Sequence, residues 1–353
     1  MAAHGQEQIM IIESHAHLTN APQQLDAFRG RQVSNTARAG HGNLNISDEE
    51  LYAAMEKHVA RMDRLGIDLM IFSPRASGMS HEFGNERISF QWAQANNNLI
   101  ARAVGMFPGR LFGAAQLPQS PGVSPANCIE ELDRCILDLG FVGCLINPDV
   151  SGGGQPFTPG IGDPWWYPLY QRMIELDVPG LFHASSTINP ALHLNGSHYT
   201  NVDSAVVFEL CWTKVLDELP GLKVVVPHGG GALPFHYNRI RSLLLGAKKK
   251  PLEERLTQMY LDTAVYDRDS LEMLVRKVGP GNLLYAAEPF GTAKNVDPQT
   301  GVPFDETIDF VSAIDWLSAD EKERIFSGNA LRLYSRMGLV ANPGTARLDA
   351  AVG

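Results

Sequence analysis

The sequence predicts an α/β fold in a single domain: a closed (β/α)8 barrel with a long segment after its first strand. Three observations predict it. Eight short apolar runs recur along the 353 residues. Segments of helical period separate them in alternation, as a barrel requires. The runs are near-continuous in apolar character rather than alternating, which is how strands covered on both faces of a parallel sheet read. A doubly wound open sheet is the alternative, but no Gly-X-Gly-X-X-Gly follows the first run.

The eight predicted strands are Ile9–Glu13, Asp68–Ser73, Leu111–Leu117, Val142–Asn147, Pro179–His183, Lys223–Pro227, Met259–Thr263 and Leu283–Ala287. The first helix, Glu49–Leu65, carries Leu51, Met55, Val59, Met62 and Leu65 at helical spacing. Ser47 and Glu50 form a capping box before it and Gly66 stops it. Ile88–Val104, Ser124–Leu139, Trp166–Asp177, Asp203–Leu219, Leu233–Leu245 and Arg268–Val278 complete the helical set. Leu18–Ser47 is long for a strand-to-helix loop and reads as a lid over the barrel mouth. The barrel is expected to occupy residues 1–340, with 341–353 as a flexible tail.

Composition narrows the function. Hydrophobic residues at 44% and charged residues at 19% describe a globular chain and not a disordered one. A net charge of −10 leaves no general footprint for nucleic acid. No apolar run approaches the ~18 residues that span a bilayer, so no membrane partner is expected. The N-terminus lacks the basic start and apolar core of a signal peptide. The four cysteines show no metal-binding spacing and read as reduced, buried thiols of a cytoplasmic protein.

The chemistry lies at the ends of the apolar runs. The first leads into Glu13-Ser14-His15-Ala16-His17, and residues two apart on a strand face the same side. His183 ends the fifth run, His228 follows the sixth and Glu288 follows the eighth. A lone pair of spaced histidines is as readily packed or solvated, but all five residues fall at strand C-terminal ends, where barrels keep their sites. Such a rim of imidazole and carboxylate, with a position left open, suits a catalytic metal. Arg75 at the end of the second strand suits a substrate carboxylate. Asn147, Asn195, His198, Tyr199 and Lys294 are further candidates for holding substrate, Asn147 as an oxyanion donor.

With these residues in place the chain resembles the metal-dependent amidohydrolase superfamily. That family has a TIM barrel with His-X-His on strand one, histidines on strands five and six, and an acid on strand eight. The resemblance runs from Ile9 to Val340. The segments Ser327-Gly328-Asn329-Ala330, Ser73-Pro74-Arg75-Ala76 and Pro227-His228-Gly229-Gly230 resemble the branch of the aminocarboxymuconate-semialdehyde decarboxylases. Within that branch the resemblance implies a hydratase of protocatechuate 4,5-cleavage. Such an enzyme adds water to the carbon–carbon double bond of a tricarboxylate 2-oxo acid.

The chain departs from the superfamily twice. Strand eight offers Glu288 where Asp is usual, and strand four has no lysine to bridge two metals. The resemblance therefore implies one divalent ion, held by His15, His17, His183 and Glu288. Zinc is favoured, and manganese or iron is compatible. His228 is the candidate for proton transfer and Glu288 the second catalytic residue. A decarboxylase or a lactone hydrolase on the same scaffold, or a barrel without turnover, are the alternatives. The expected partner is a small polycarboxylate. A homo-oligomer is expected on base rates, with Pro164-Trp165-Trp166-Tyr167 equally readable as a contact, as core or as site wall.

Overall fold

The computed structural model describes residues 9–38, 43–192 and 196–340. Eight parallel strands follow one another around a single sheet in sequence order. They are β1 (Ile12–Leu18), β2 (Leu69–Pro74), β3 (Leu111–Gln116), β4 (Gly143–Ile146), β5 (Gly180–Phe182), β6 (Val224–Val226), β7 (Tyr260–Asp262) and β8 (Leu283–Leu284). The sheet closes where Ser14 N–H donates to Tyr285 O at 3.0 Å and Ala287 N–H donates to the Glu13 carboxylate at 2.9 Å.

Two apolar layers hold the fold. Every strand contributes to the inner cluster, among them Ile12, Leu69, Ile71, Phe112, Leu145, Leu181, Val225 and Leu284, with Tyr260 of β7 packed against it. The outer cluster lies between the strands and the surrounding helices. At the N-terminal ends of the strands, Leu333, Tyr334 and Met337 join the inner cluster and plug the barrel. Gly143 leaves room for that plug, since a Cβ there would stand 3.2 Å from the Tyr334 ring.

The helix Asp48–Leu65 has both halves of the expected capping box, and Gly66 ends it at φ 70°. Arg268–Val278 matches the expected helix end for end. Four expectations change. The first strand starts later and runs on through both histidines. The segment read as a loop lid holds a helix, Gln24–Ser34, whose Phe28 stacks on Trp92. The third helical segment, expected over Ser124–Leu139, is α-helical only over Ile129–Asp133 and continues as a π-helix to Asp138. The helix expected over Asp203–Leu219 is two, Ser197–Trp212 and Val215–Glu218, so His198 and Tyr199 sit in a first turn and not in a loop.

Trp166 is fully buried and stacks on Tyr170, so it serves the core and is not an outward contact. All four cysteines are buried and unpaired. Among the described residues no helix is long and apolar enough to cross a membrane. The tail expected over 341–353 lies outside the described residues.

Candidate metal centre and substrate cavity

A break in strand pairing aims the first two histidines. Between Glu13 and Ala16 the register against β2 shifts, a bulge that places one extra residue on β1. Ile12 points into the barrel, yet Ala16 and Leu18 pack outward. The bulge switches the parity of the strand, so His15 and His17 turn inward. Their Nε2 atoms stand 2.9 Å apart. His183 follows β5 directly, with its ring 5.1 Å from that of His15 and 5.2 Å from that of His17. Glu288 lies four residues past β8, with φ at 48°. One ligand atom from each of His15, His17, His183 and Glu288 falls within 4.8 Å of all the others.

The partners of the far ring nitrogens set the tautomers. His15 Nδ1 meets the Asp262 carboxylate at 2.8 Å. His17 Nδ1 stands 2.7 Å from Ser73 Oγ, whose own hydroxyl donates to Ala16 O, and 3.1 Å from Pro74 O. His183 Nδ1 meets Ala184 O at 2.7 Å. These partners accept, so each Nδ1 carries the hydrogen and each Nε2 presents a lone pair. Two lone pairs facing each other at 2.9 Å repel. The buried His183 Nε2 has no hydrogen-bond partner. A cation among these atoms resolves both conditions, and acceptors behind imidazoles are what metal-binding histidines use. The residues present fit a divalent cation.

Electrostatics agree. Burial, then the neighbouring His15, pushes His17 down to about 3, and burial with the adjacent imidazoles holds His183 well below the ordinary range. Both therefore stay neutral and able to donate a lone pair. Burial alone would raise Glu288, but the adjacent His228 outweighs it and holds the carboxylate ionised, well below the usual carboxylate range.

His228, just past β6, differs from these three. Its Nδ1 meets the buried Asp203 carboxylate at 2.8 Å, and its Nε2 lies 3.7 Å from Glu288 Oε2. Burial opposes charge here, but the Asp203 ion pair wins and carries His228 well above the ordinary imidazole range. A histidine that keeps its proton beside the ligand cluster can deliver one. In front of His17, His183 and Glu288 opens a cavity of about 740 Å³, whose wall also includes Arg75, Tyr199 and Lys294.

A family model described as amidohydrolase matches residues 12–336. The chain belongs to the amidohydrolase family. It is 38% identical over 334 residues to the 2-keto-4-carboxy-3-hexenedioate hydratase of Sphingobium sp. strain SYK-6, a match covering 93% of this chain and 97% of that protein. The crystal structure of 4-oxalomesaconate hydratase from Rhodopseudomonas palustris has a TM-score of 0.86 at 38% identity, covering 94% of this chain and 97% of that one. A dihydroxybenzoic acid decarboxylase from Polaromonas sp., with bound manganese and the inhibitor 2-nitroresorcinol, has a TM-score of 0.68 at 21% identity, covering 93% of this chain and 97% of that one. That last likeness is one of fold.

This amidohydrolase brings together most of the residues singled out from its sequence. Arg75 reaches the cavity and also stands 3.7 Å from Asp26 on the helix after β1. Tyr199 lies beside His183, with ring centroids 5.5 Å apart, and Lys294 is exposed at the mouth. Asn147 is placed elsewhere. It is buried off the cavity wall, its amide engaged with His81 Nδ1 at 3.1 Å and with Asp149 N–H at 3.2 Å. His198 is buried on its helix and does not line the cavity. Asn195 lies outside the described residues.

The sequence reading missed Asp262, Asp203 and Tyr266. Asp262 ends β7 as an acid closing an apolar run, the same signal that singled out Glu288. Asp203 and Tyr266 gave no such signal, because their partners lie 25 and 22 residues away along the chain.

Proposed function

We propose that this chain is a metal-dependent hydro-lyase. It adds water across the double bond of 4-oxalomesaconate, the 2-keto-4-carboxy-3-hexenedioate of its relative's name, to give 4-carboxy-4-hydroxy-2-oxoadipate. The observation that carries this reading is a His228–Asp203 pair, 2.8 Å apart, standing 3.7 Å from the carboxylate of a three-imidazole, one-glutamate cluster. Full-length similarity to two hydratases supports it.

His15, His17, His183 and Glu288 would hold one ion, and strand four offers no lysine for a second. Three nitrogens and one carboxylate favour zinc over manganese or iron. When bound, such an ion supplies Lewis acidity, making a nearby water more acidic or polarising an oxygen.

The chain's own groups account for the remaining needs. Hydration bonds the hydroxyl of water to C4 and moves the double-bond electrons onto the 2-oxo oxygen as an enolate; collapse of the enolate takes a proton at C3, and the proton the water gives up restores the donor. His228 is placed to deliver that proton from Nε2. Asp203 holds the ring through Nδ1 and stabilises its charged form. The three substrate carboxylates cannot enter a confined site unpaired. Arg75 and Lys294 on the wall answer two of them, Arg75 with a planar fork that matches a carboxylate.

The decisive test is an absorbance assay with freshly prepared 4-oxalomesaconate. Loss of the conjugated chromophore without carbon dioxide release is expected. Carbon dioxide release from a carboxylated aromatic or muconate, with no hydration, would replace this reading by a decarboxylase. Metal analysis is expected to give about one equivalent, lost in His15→Ala. Self-association into a homo-oligomer is a separate proposal, checked by light scattering.

A further inference from the structure

Eight non-glycine residues have positive φ among those described, and three of them meet at one carboxylate: Glu288 itself at 48°, with His228 at 50° and Tyr266 at 49° beside its Oε2. Left-handed backbone is uncommon for residues with a Cβ and persists where the surroundings over-determine it. Its concentration here marks a group whose placement is enforced. The Tyr266 hydroxyl donates to Glu288 Oε2 at 2.5 Å. The same oxygen lies 3.7 Å from His228 Nε2, beyond hydrogen-bond reach for two groups of opposite charge. On another side Gly291 leaves only enough room for the carboxylate, since a Cβ there would stand 2.6 Å from Glu288 Cδ. Tyr266 itself does not line the cavity.

We propose that Tyr266 is a positioning residue for metal retention. Its hydroxyl fixes the Glu288 carboxylate in the setting that faces the His15, His17 and His183 nitrogens, and keeps it from closing onto His228. Hydrogen bonds to an ionised acceptor are short and strong, so one hydroxyl suffices to set the rotation of a carboxylate. Without it, the imidazole of His228 is the nearest donor to Oε2, and a tight pair between them takes Glu288 away from the other three ligands. This inference rests on the metal reading of the preceding section.

The test is competition for zinc between the full-length protein and a chromophoric chelator, for wild type and Tyr266→Phe. The unfolding midpoint of each metal-free protein is measured alongside. Tyr266→Phe is expected to bind zinc about 10–100-fold more weakly, as loss of a group behind a ligand does, with its metal-free midpoint unchanged. A variant that binds zinc as tightly as wild type overturns the proposal. So does a metal-free midpoint that falls far enough to account for the weaker binding. Wild-type protein that takes up no zinc overturns the metal reading itself, and the two failures are thereby distinguished.

Discussion

At the N-terminal ends of the strands, Leu333, Tyr334 and Met337 close the barrel with side chains that join the inner apolar cluster. At the opposite ends His15, His17 and His183 are as deeply buried, at 1–2% exposure, yet every one is polar. One end removes hydrocarbon and an aromatic ring from water. The other buries lone pairs and charge, and holds Glu288, His228 and Tyr266 in left-handed backbone. Such an arrangement is costly in isolation and is kept where a ligand or a reaction uses it. The same eight strands serve both ends, so stability and chemistry should separate under mutation.

Glu288→Ala should produce the largest effect. It removes the only carboxylate among the four clustered donors, so bound metal should be lost. Turnover should fall about 10³-fold or more, because Lewis acidity accounts for several kcal/mol of transition-state stabilisation. Metal analysis with the hydration assay checks it, and retained metal would show that the rim does not work as a unit. Tyr334→Ala should do the converse. Emptying the plug should cost about 3 kcal/mol of stability, as large-to-small changes at buried aromatics do. Denaturant unfolding measures that loss, and the folded variant should keep its kcat and KM. A fall in kcat would mean that the two ends are coupled through the barrel interior.

His228→Asn comes next and divides the rim itself. The variant should keep its metal and lose about 10²-fold in kcat, the ordinary contribution of a positioned proton donor. Loss of metal with kcat would make His228 a ligand, and unchanged kcat would remove it from the chemistry.

The two ends were also unequally legible in the sequence. Strands buried on both faces appear as apolar runs, so all eight could be read, and the helix expected over Arg268–Val278 has those bounds. Five rim residues were legible because polar groups at the ends of apolar runs stand out. What aims them was not. The β1 bulge depends on pairing with β2, a contact across 56 residues of chain, and no local pattern announces it. Asp262 orients His15 across 247 residues. The helix Gln24–Ser34 buries only Leu25, Phe28 and Gln32, too few apolar positions to betray a helical period. Asn147 misled for a related reason. A strand-tip amide reads as a free donor until the fold shows His81 and Asp149 already engaging it.

The smallest effect tests whether buried histidine means the same thing everywhere. His58, on the helix Asp48–Leu65, is also buried, and its Nε2 meets Asn20 Oδ1 at 3.0 Å. Its Nδ1, unlike the rim nitrogens, points at no other ligand atom and has no hydrogen-bond partner. Burial, then the nearby Arg61 charge, pushes it down to about 4. In the unfolded chain the imidazole titrates near 6.5. Above that pH it is neutral in both states and its full contribution to stability is present. As pH falls from about 6.5 towards 4, the unfolded state takes up the proton first, and stability declines. At pH 5.5 the decline attributable to His58 should be on the order of 1 kcal/mol. His58→Gln keeps a donor for Asn20 and removes the titration. Its unfolding free energy should therefore fall less than that of wild type between about pH 7.5 and 5.5. An identical fall in both proteins would mean that His58 is not held neutral by burial, and would leave the acid sensitivity of the fold with the histidines of the rim.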